Sequence, residues 1–424
     1  MALTKVHMDP PRNRPQNVTV IGGTKSIEPG IVDARTGMPE VGLRETDLLS
    51  HWVSGGIRYS STMTSERPFP PPRRVLWEIT WKCDLRCAHC LVSAGQPRGT
   101  ELSTEQAFEV VDQIAELGAR VVSLTGGEPL LRRDWFQIAS RIRERQLGLR
   151  FSSNGHLLTE NVLKKLVTLG VDMFTVSIDG TESTHNRLRP FPARRSAINS
   201  HARVLKAIDR IKTTDIEAHV ITSVGKENLN ELPEIHETLK RHNVDKWILQ
   251  LVHPTGRAGV PGKTRASWHP LDPGDLLQLS AFIESRAPDR QLQPTAFNSI
   301  GYMGKKEPIL RKSGKTSRNP IWQGCTCGVD VMGIEPDGGI KGCANQVGDP
   351  FVVGNVATEL LHEIWRDRRR WHWLNPSRER LAGACATCSF ADICQGGCTT
   401  IAYRSTGELF NNPYCIREIE RSSR

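Results

Sequence analysis

The chain has 424 residues, of which 38% are hydrophobic, and its formal net charge is +10. This length allows two or three domains of about 150 residues each. No apolar run comes near the ~18 residues that a membrane span needs, so we expect a globular protein without a membrane partner. The basic residues form no stripe interleaved with aromatic side chains, which argues against nucleic acid as a partner.

Residues 1–72 form a predicted N-terminal extension that is rich in proline, glycine, serine and threonine. It contains one short apolar run, from Val18 to Ile21, and ends in the proline-rich segment ERPFPPPRR. This composition favours an arm that accompanies the following domain, and contact with a substrate peptide is the alternative. Prolines and charges occupy the place where a signal peptide has its apolar core, so we expect a cytoplasmic protein.

A predicted strand that begins at Val75 leads into a loop with three cysteines, Cys83, Cys87 and Cys90. Their C-x3-C-x2-C spacing brings three thiols within reach of one metal centre. A structural zinc site uses four protein ligands, and His89 is a candidate for the fourth. Three thiolates on a cubane iron-sulfur cluster instead leave one iron open for another ligand. In a reducing cytosol, clustered thiols are more typical of metal ligands than of disulfides.

Strands and helices alternate between Arg74 and about Leu251. Ser103 and Gln106 make a capping box at the start of the first helix, and Gly118 is a typical residue for its end. After the strand at Val75, predicted strands cover 121–125, 149–152, 173–178, 218–222 and 247–252, and helices begin near Ser103, Asp134, Thr159, residue 196 and residue 229. Six such units predict an α/β fold with a parallel sheet, most simply a partial (β/α)6 TIM-type barrel over residues 73–256.

Polar motifs follow the second, third and fourth predicted strands, where a barrel keeps its site. In the Gly-Gly-Glu-Pro sequence after the second strand, the glycines allow backbone amides to approach a ligand, and Glu128 can accept a hydrogen bond from an ammonium group. Asp179, after the fourth strand, is also suited to capping the following turn. The candidate ligand-binding residues are Gly126, Gly127, Glu128, Ser153, Asn154, Ser177, Asp179 and Arg189.

The cysteine loop and the ordered motifs together resemble the radical S-adenosylmethionine (radical SAM) enzymes. The resemblance implies that the open iron of a [4Fe–4S] cluster binds the amino and carboxylate groups of SAM. An electron from the cluster then breaks the sulfonium C–S bond to give a 5'-deoxyadenosyl radical. The resemblance also implies that the motif at Glu128 holds the amino group of SAM, that the third and fourth strand ends meet its ribose and carboxylate, and that Arg189 pairs with the carboxylate. Four motifs in this order argue against zinc at the three cysteines.

A bridging region is predicted over residues 257–320, with one helix near 273–286. Its end, KKEPILRKSGKTSRNP, is strongly basic and is either a solvated loop or a groove for an acidic peptide. His253 lies just before this region, after the sixth strand, and is either a packed loop histidine or a catalytic group.

Eight cysteines lie between residues 325 and 415, and the C-x2-C-x5-C-x3-C run from Cys385 to Cys398 resembles the SPASM domain. We therefore expect a SPASM iron-sulfur domain over residues 321–424, with two zinc sites as the rival interpretation. By the resemblance, Cys385, Cys388, Cys394 and Cys415 bind one auxiliary [4Fe–4S] cluster, and Cys325, Cys327, Cys343 and Cys398 bind the other. A single residue separates Cys325 from Cys327, so either both bind or one stays free and leaves an iron open for the substrate.

Ala344 follows Cys343 at a position where sulfatase-maturing relatives carry an aspartate base, which argues against formylglycine formation. The motifs look closest to those of the mycofactocin and pyrroloquinoline quinone maturases. The resemblance therefore implies an enzyme that modifies a ribosomally made peptide by crosslinking, decarboxylation or a related C–H functionalisation, with the auxiliary clusters relaying electrons.

Two alternatives stay open beside this interpretation. One is a radical SAM enzyme for a small molecule such as a sugar, a nucleoside or a tetrapyrrole precursor. The other is a non-catalytic iron-sulfur electron carrier, which would form no 5'-deoxyadenosine from SAM and dithionite. For the peptide interpretation, the expected partners are the peptide substrate, a separate peptide-binding chaperone, and flavodoxin or ferredoxin as the electron donor.

Overall fold

The computed structural model describes residues 69–423 except for 97, 193–197, 260–267, 312–320, 349 and 375–377. The apolar run from Val18 to Ile21, most of the predicted extension and the last part of the basic segment lie outside the described residues. Within the described ranges, no helix is both long and apolar enough to cross a membrane.

Six parallel strands form the centre of the fold, and each pairs with the next in chain order. They are β1 (Arg74–Glu78), β2 (Val121–Thr125), β3 (Gly148–Ser152), β4 (Met173–Ser177), β5 (Glu217–Val224) and β6 (Lys246–Leu251). The helices between and after them are α1 (Thr104–Leu117), α2 (Trp135–Glu144), α3 (Glu160–Thr168), α4 (Glu182–Leu188), α5 (Ser200–Ile211) and α6 (Leu232–Arg241). The predicted α/β fold with a partial barrel is therefore confirmed.

The sequence signals for helix ends predicted the observed capping bonds at α1 but not at α2. At α1, the Ser103 hydroxyl accepts from the N–H of Gln106 at 3.2 Å, and Gly118 ends the helix with a φ of 92°. At α2, Asp134 precedes the helix but makes no capping bond, because its carboxylate binds Arg132 and Thr104 instead. Helix α4 was not predicted, since seven mostly polar residues carry no apolar periodicity.

Short strands from the rest of the chain extend the barrel sheet at both edges. Strand β7 (Pro294–Ala296) pairs with β6 in parallel, and β8 (Val331–Ile334) pairs with β1 in parallel. Strands β9 (Gly339–Lys341) and β10 (Gly354–Asn355) continue the sheet in antiparallel order beyond β8. Each has only two to four residues, too few for a sequence pattern. The C-terminal region thus shares a sheet with the barrel, while the predicted domain boundaries stay predictions.

The helices outside the barrel place two of the C-terminal cysteines. They are α7 (Asp275–Ser285), α8 (Glu307–Arg311), α9 (Leu361–Arg366), α10 (Ala391–Cys394), α11 (Thr399–Thr406) and α12 (Ile416–Ser422). Helix α7 is the one predicted near 273–286. Cys398 and Cys415 are the N-cap residues of α11 and α12, so both thiols lie beside free backbone N–H groups.

Large aromatic side chains fill the core of the sheet. Trp77, Phe151, Phe174 and Trp247 come from four different barrel strands, and none has exposed surface. Truncating one such side chain to alanine costs about 3–5 kcal/mol. This packing fixes the strands whose carboxyl ends carry the predicted site.

A buried ion cluster joins the C-terminal hairpin to the first barrel strand. The ammonium of Lys341, on β9, lies 2.6 Å from Glu78 on β1 and 2.9 Å from Glu335, and the lysine side chain has no exposed surface. Burial alone would lower the pKa of Lys341, but the two carboxylates raise it above its usual value. The cluster aligns the strand that precedes Cys343 with the strand that leads to the first cysteine loop.

Candidate iron-sulfur and cofactor site

The loop after β1 collects the three N-terminal cysteines. Backbone N–H groups of Leu85 and Ala94 donate to the sulfurs of Cys83 and Cys90, at 3.5 and 3.2 Å. The thiol of Cys87 is buried, and burial raises its pKa to about 11, although nearby Arg189 opposes the rise. Buried thiols of this kind keep their protons unless a metal displaces them, so this donor set fits iron.

The loop after β6 packs directly on the cysteine loop. The Arg257 guanidinium donates to the carbonyl oxygens of Cys87 and Ala94 at 2.6 and 2.8 Å. A Cβ on Gly256 would lie 2.3 Å from the carbonyl oxygen of Cys90, so only glycine fits there. Gly256 and Arg257 thus clamp the cysteine loop, and no sequence pattern beyond a glycine in a loop predicted this clamp.

His253, at the start of the same loop, is buried. Neither of its ring nitrogens has a hydrogen-bond partner within the part of the chain that the structure describes. Burial, with a smaller effect of Arg404, lowers its pKa to about 4. The side chain is therefore neutral at neutral pH.

The glycines of the motif after β2 bring its backbone against the cysteine loop. The N–H groups of Gly127 and Glu128 donate to the carbonyl oxygens of Thr80 and Lys82 at 2.7 and 2.8 Å. A Cβ on Gly127 would lie 2.2 Å from the Lys82 oxygen, and Gly126 has a φ of 141°. These glycines were predicted to let backbone amides approach a ligand, and in the structure the N–H groups of Gly127 and Glu128 bond to the cysteine loop instead.

Glu128 joins the second strand end to the third. Its fully buried carboxylate accepts from the Ser153 hydroxyl at 2.9 Å and from the Asn154 N–H at 2.7 Å. Burial raises the pKa of Glu128 to about 7, although these hydrogen bonds oppose the rise. Asn154 in turn donates to Asp84 in the cysteine loop at 2.6 Å. These predicted residues therefore lie together beside the loop.

Asp179 joins the fourth strand end to the same loop. Its buried carboxylate pairs with Arg189, lies 3.3 Å from His89 and accepts from the Ser223 N–H at 2.7 Å. Burial alone would raise the pKa of Asp179, but Arg189 and His89 hold it below its usual range. Asp179 does not cap α4, which starts after Thr181.

Arg189 and His89 complete this network. One Arg189 nitrogen lies 3.9 Å from the sulfur of Cys87, and another lies 3.2 Å from His89. His89 packs on Trp268, with 4.4 Å between ring centroids, so it serves the network and is not arranged as a zinc ligand. Ser177 is the half-buried last residue of β4.

Four C-terminal thiols form a first set, named here the Cys398 set: Cys325, Cys327, Cys343 and Cys398. Cys327 interacts electrostatically with both Cys325 and Cys343. Cys398 interacts electrostatically with Cys325 and Cys343, and it is the N-cap residue of α11. The structure therefore brings Cys325 and Cys327 together despite their short spacing.

The other four thiols form a second set, named here the Cys415 set: Cys385, Cys388, Cys394 and Cys415. All four line one cavity, which Tyr302 and Met303 also border. Cys415 is the N-cap residue of α12, so its thiol lies at the N-terminus of that helix. Helix N-termini stabilise thiolate charge, as metal ligation requires.

All eleven cysteines are free of disulfides. In the described ranges, no three histidine, cysteine, aspartate or glutamate side chains are arranged to hold one metal ion. A cubane spreads its thiolates over four iron atoms and so holds them farther apart than one ion does. The lack of a single-ion site in the described ranges therefore does not argue against a cluster at these thiols.

The parallel partial barrel, with three thiols after its first strand and two further sets of four, defines an iron-sulfur enzyme of the α/β class. Residues 77–239 match the model of the radical SAM superfamily, and residues 325–389 match the SPASM iron-sulfur cluster-binding domain. The chain belongs to the radical SAM superfamily and is an enzyme with a SPASM domain. Its cofactors are accordingly SAM and [4Fe–4S] clusters, one for SAM and the auxiliary ones of the SPASM domain.

Two curated relatives span most of the chain. The chain is 29% identical over 355 residues to the AdoMet-dependent heme synthase of Methanosarcina barkeri, covering 81% of this chain and 96% of that protein. It is 27% identical over 336 residues to the mycofactocin maturase MftC of Mycolicibacterium smegmatis, covering 78% of this chain and 79% of MftC.

Solved structures of Streptococcus suis SuiB share the fold. The complex with S-adenosylmethionine superposes with a TM-score of 0.61 at 17% identity, and the complex with precursor peptide SuiA does so with 0.60 at 16%. Each match covers 82% of this chain and 76% of SuiB.

Proposed function

We propose that this enzyme matures a ribosomally synthesised peptide by crosslinking, decarboxylation or a related C–H functionalisation. The observation that carries the proposal is the grouping of eleven cysteines as three, four and four, which leaves none as a catalytic thiol. Such reactions leave a substrate radical that must lose an electron, and two auxiliary sites suit that need. The relation to a mycofactocin maturase supports a peptide as the substrate.

Cys83, Cys87 and Cys90 are the proposed ligands of the SAM-binding cluster, which supplies the electron that cleaves SAM. The Leu85 and Ala94 N–H groups stabilise two of these thiolates. The Cys398 set and the Cys415 set are the proposed ligands of the two auxiliary clusters. The contacts of Cys327 with both of its neighbours support ligation by all four members of the Cys398 set.

The strand-end residues are the proposed SAM contacts: Gly126, Gly127, Glu128, Ser153, Asn154, Ser177, Asp179 and Arg189. Glu128, ionised above pH 7, is the proposed acceptor for the SAM ammonium. Asp179 acts through Arg189: their ion pair orients the guanidinium that is the proposed partner of the SAM carboxylate.

The partners that belong to this proposal are a peptide-binding chaperone and a flavodoxin or ferredoxin that donates electrons in the cytoplasm. A net charge of +10 favours encounter with acidic electron carriers. With a chemical reductant, SAM cleavage is measured without either partner, so the enzyme and its partners can be tested separately.

A tetrapyrrole precursor is the second candidate substrate. The observation that favours it is the heme synthase relative, whose identity of 29% and coverage of 96% both exceed those of the maturase.

The test is anaerobic incubation of the reconstituted enzyme with SAM, dithionite and either a precursor peptide encoded beside its gene or an iron-containing tetrapyrrole carboxylate. We expect the mass of the peptide to fall by two hydrogens or by a carboxyl group, with equimolar 5'-deoxyadenosine. An unchanged peptide beside a decarboxylated tetrapyrrole would replace the first proposal with the second. SAM cleavage without change in either would contradict both substrate classes.

A further inference from the structure

Tyr302, in the bridging region, lies between the two sets of C-terminal thiols. Its buried phenol oxygen accepts a hydrogen bond from the N–H of Cys398 at 3.1 Å and donates one to the carbonyl of Asn298 at 2.6 Å. Its own carbonyl oxygen lies 3.6 Å from the sulfur of Cys415. One residue therefore contacts a cysteine of each set.

The aromatic ring of Tyr302 is packed as closely as its polar ends. A Cβ on Gly397 would lie 2.9 Å from the ring, so the chain beside Cys398 has no room for a side chain there. Trp322 packs edge-on against the ring, with 5.2 Å between centroids, and its indole N–H donates to the carbonyl of Cys394 at 3.0 Å. The two rings together connect backbone groups of both sets.

The backbone at this position is strained. Tyr302 and Met303 have φ values of 83° and 56°, a region that costs non-glycine residues on the order of 1–3 kcal/mol each. Glu307 holds the strained segment, because its carboxylate accepts from the N–H groups of Tyr302 and Trp322 at 3.0 and 2.9 Å. Strain that the surrounding structure maintains in this way is typical of functional positions.

We propose that Tyr302 is a positioning residue that couples the two auxiliary cluster sites, an inference that rests on the cluster assignments proposed above. The phenol oxygen, as an acceptor, presents partial negative charge to the Cys398 set and so disfavours an added electron there. The hydrogen bond, the side chain and the carbonyl of Tyr302 also form a continuous route from Cys398 to Cys415.

With both auxiliary clusters bound, Tyr302 would lie on the path of one electron that passes between them, so that one cluster would be oxidised and the other reduced. No covalent bond changes. Tyr302 keeps its hydroxyl proton, which stays hydrogen-bonded to the Asn298 carbonyl.

The experiment compares Tyr302→Phe with Tyr414→Phe in the full-length, reconstituted protein. Both variants keep the ring and lose one buried hydroxyl, but the hydroxyl of Tyr414 donates to the carbonyl of Leu271 and not to a cysteine site. Iron content, SAM cleavage with dithionite, and the midpoint potentials of the auxiliary clusters by EPR-monitored titration are measured for each. The rate of electron equilibration between the auxiliary clusters after flash reduction is the fourth readout.

We expect Tyr302→Phe to raise the midpoint potential of one auxiliary signal and to slow equilibration, with wild-type iron content and SAM cleavage. Tyr414→Phe should match the wild type in all four measurements. Unchanged potentials and an unchanged equilibration rate in Tyr302→Phe would overturn the inference.

If Tyr302→Phe loses iron, the midpoint potentials of the auxiliary clusters are measured in Trp322→Phe instead. The inference then requires a changed midpoint potential for the cluster of the Cys415 set, since the Trp322 indole N–H bonds to the carbonyl of Cys394. An unchanged potential for that cluster would refute the inference. A wild-type protein with fewer than about twelve iron atoms per chain contradicts the cluster assignments themselves, and that failure is distinct from the failure of Tyr302.

Discussion

Lys341→Met removes the buried ammonium that Glu78 and Glu335 share and keeps the length of the side chain. Glu78 is 4% exposed in the native protein, and the variant removes the ammonium that lies 2.6 Å from its carboxylate. Removing one partner of a buried ion pair costs about 3–5 kcal/mol, because the remaining charge has neither water nor a counter-ion. We expect a loss of stability in that range at pH 8.

The loss should depend on pH in a defined direction. Burial already raises the pKa of Glu78, and Lys341 opposes the rise, so removing the lysine moves the folded-state pKa further above the unfolded value. A carboxyl group of this kind destabilises the fold only when it must ionise. The penalty is therefore absent below the unfolded pKa and grows as pH rises toward the folded pKa.

The assay is anaerobic urea unfolding of the reconstituted protein at pH 5 and pH 8. Lys226→Met is the matched control, because its ion pair with Asp272 is exposed and worth less than about 1 kcal/mol. Adding Glu78→Gln to Lys341→Met should restore part of the stability at pH 8. Equal stability of the two lysine variants at pH 8, or a larger deficit at pH 5, would refute the reasoning.

Three further predictions concern the cofactor site. Gly127→Ala places a methyl group 2.2 Å from a carbonyl oxygen of the cysteine loop, which costs about 1–3 kcal/mol, so the rate of 5'-deoxyadenosine formation should fall. Gly274→Ala is the control, because its methyl group meets no atom within 4 Å and that rate should stay unchanged. Because the pKa of Glu128 is about 7, the initial rate of SAM cleavage should decrease between about pH 8 and pH 6, and Glu128→Gln should abolish that dependence. Arg257→Ala removes two hydrogen bonds to the cysteine loop and should speed the loss of iron to a chelator. Arg369→Ala, at a side chain that is 91% exposed, should leave that rate unchanged. Equal rates of iron loss in the two variants would show that Arg257 does not stabilise the loop.

The parts of the site that the sequence predicted have local signals. The cysteine spacing, the capping box of α1 and the polar residues after β2, β3 and β4 each lie within a few positions of one another. Six alternating strand and helix patterns were enough to predict the barrel, and parallel strands bring the polar residues at their carboxyl ends to one edge.

The contacts that the sequence did not predict join distant segments. Lys341 and Glu78 are 263 positions apart, and each looks like an ordinary charged residue in its own strand. Asp179 was predicted to contact the cofactor or to cap a turn, and its pairing with Arg189 and His89 depends on how α4 and the cysteine loop pack. Tyr302 carries no motif, and its place between two sets of thiols follows only from the folded C-terminal region.

We propose that Cys83, Cys87 and Cys90 hold the cluster that cleaves SAM. The most direct measurement is iron content and 5'-deoxyadenosine formation, with SAM and dithionite, for the triple alanine variant of these residues beside a Cys385→Ala/Cys388→Ala variant. We predict that the triple variant lacks about four iron atoms per chain and forms no 5'-deoxyadenosine, while the double variant still forms it. SAM cleavage by the triple variant, or zinc at these three thiols in the wild type, would contradict the account.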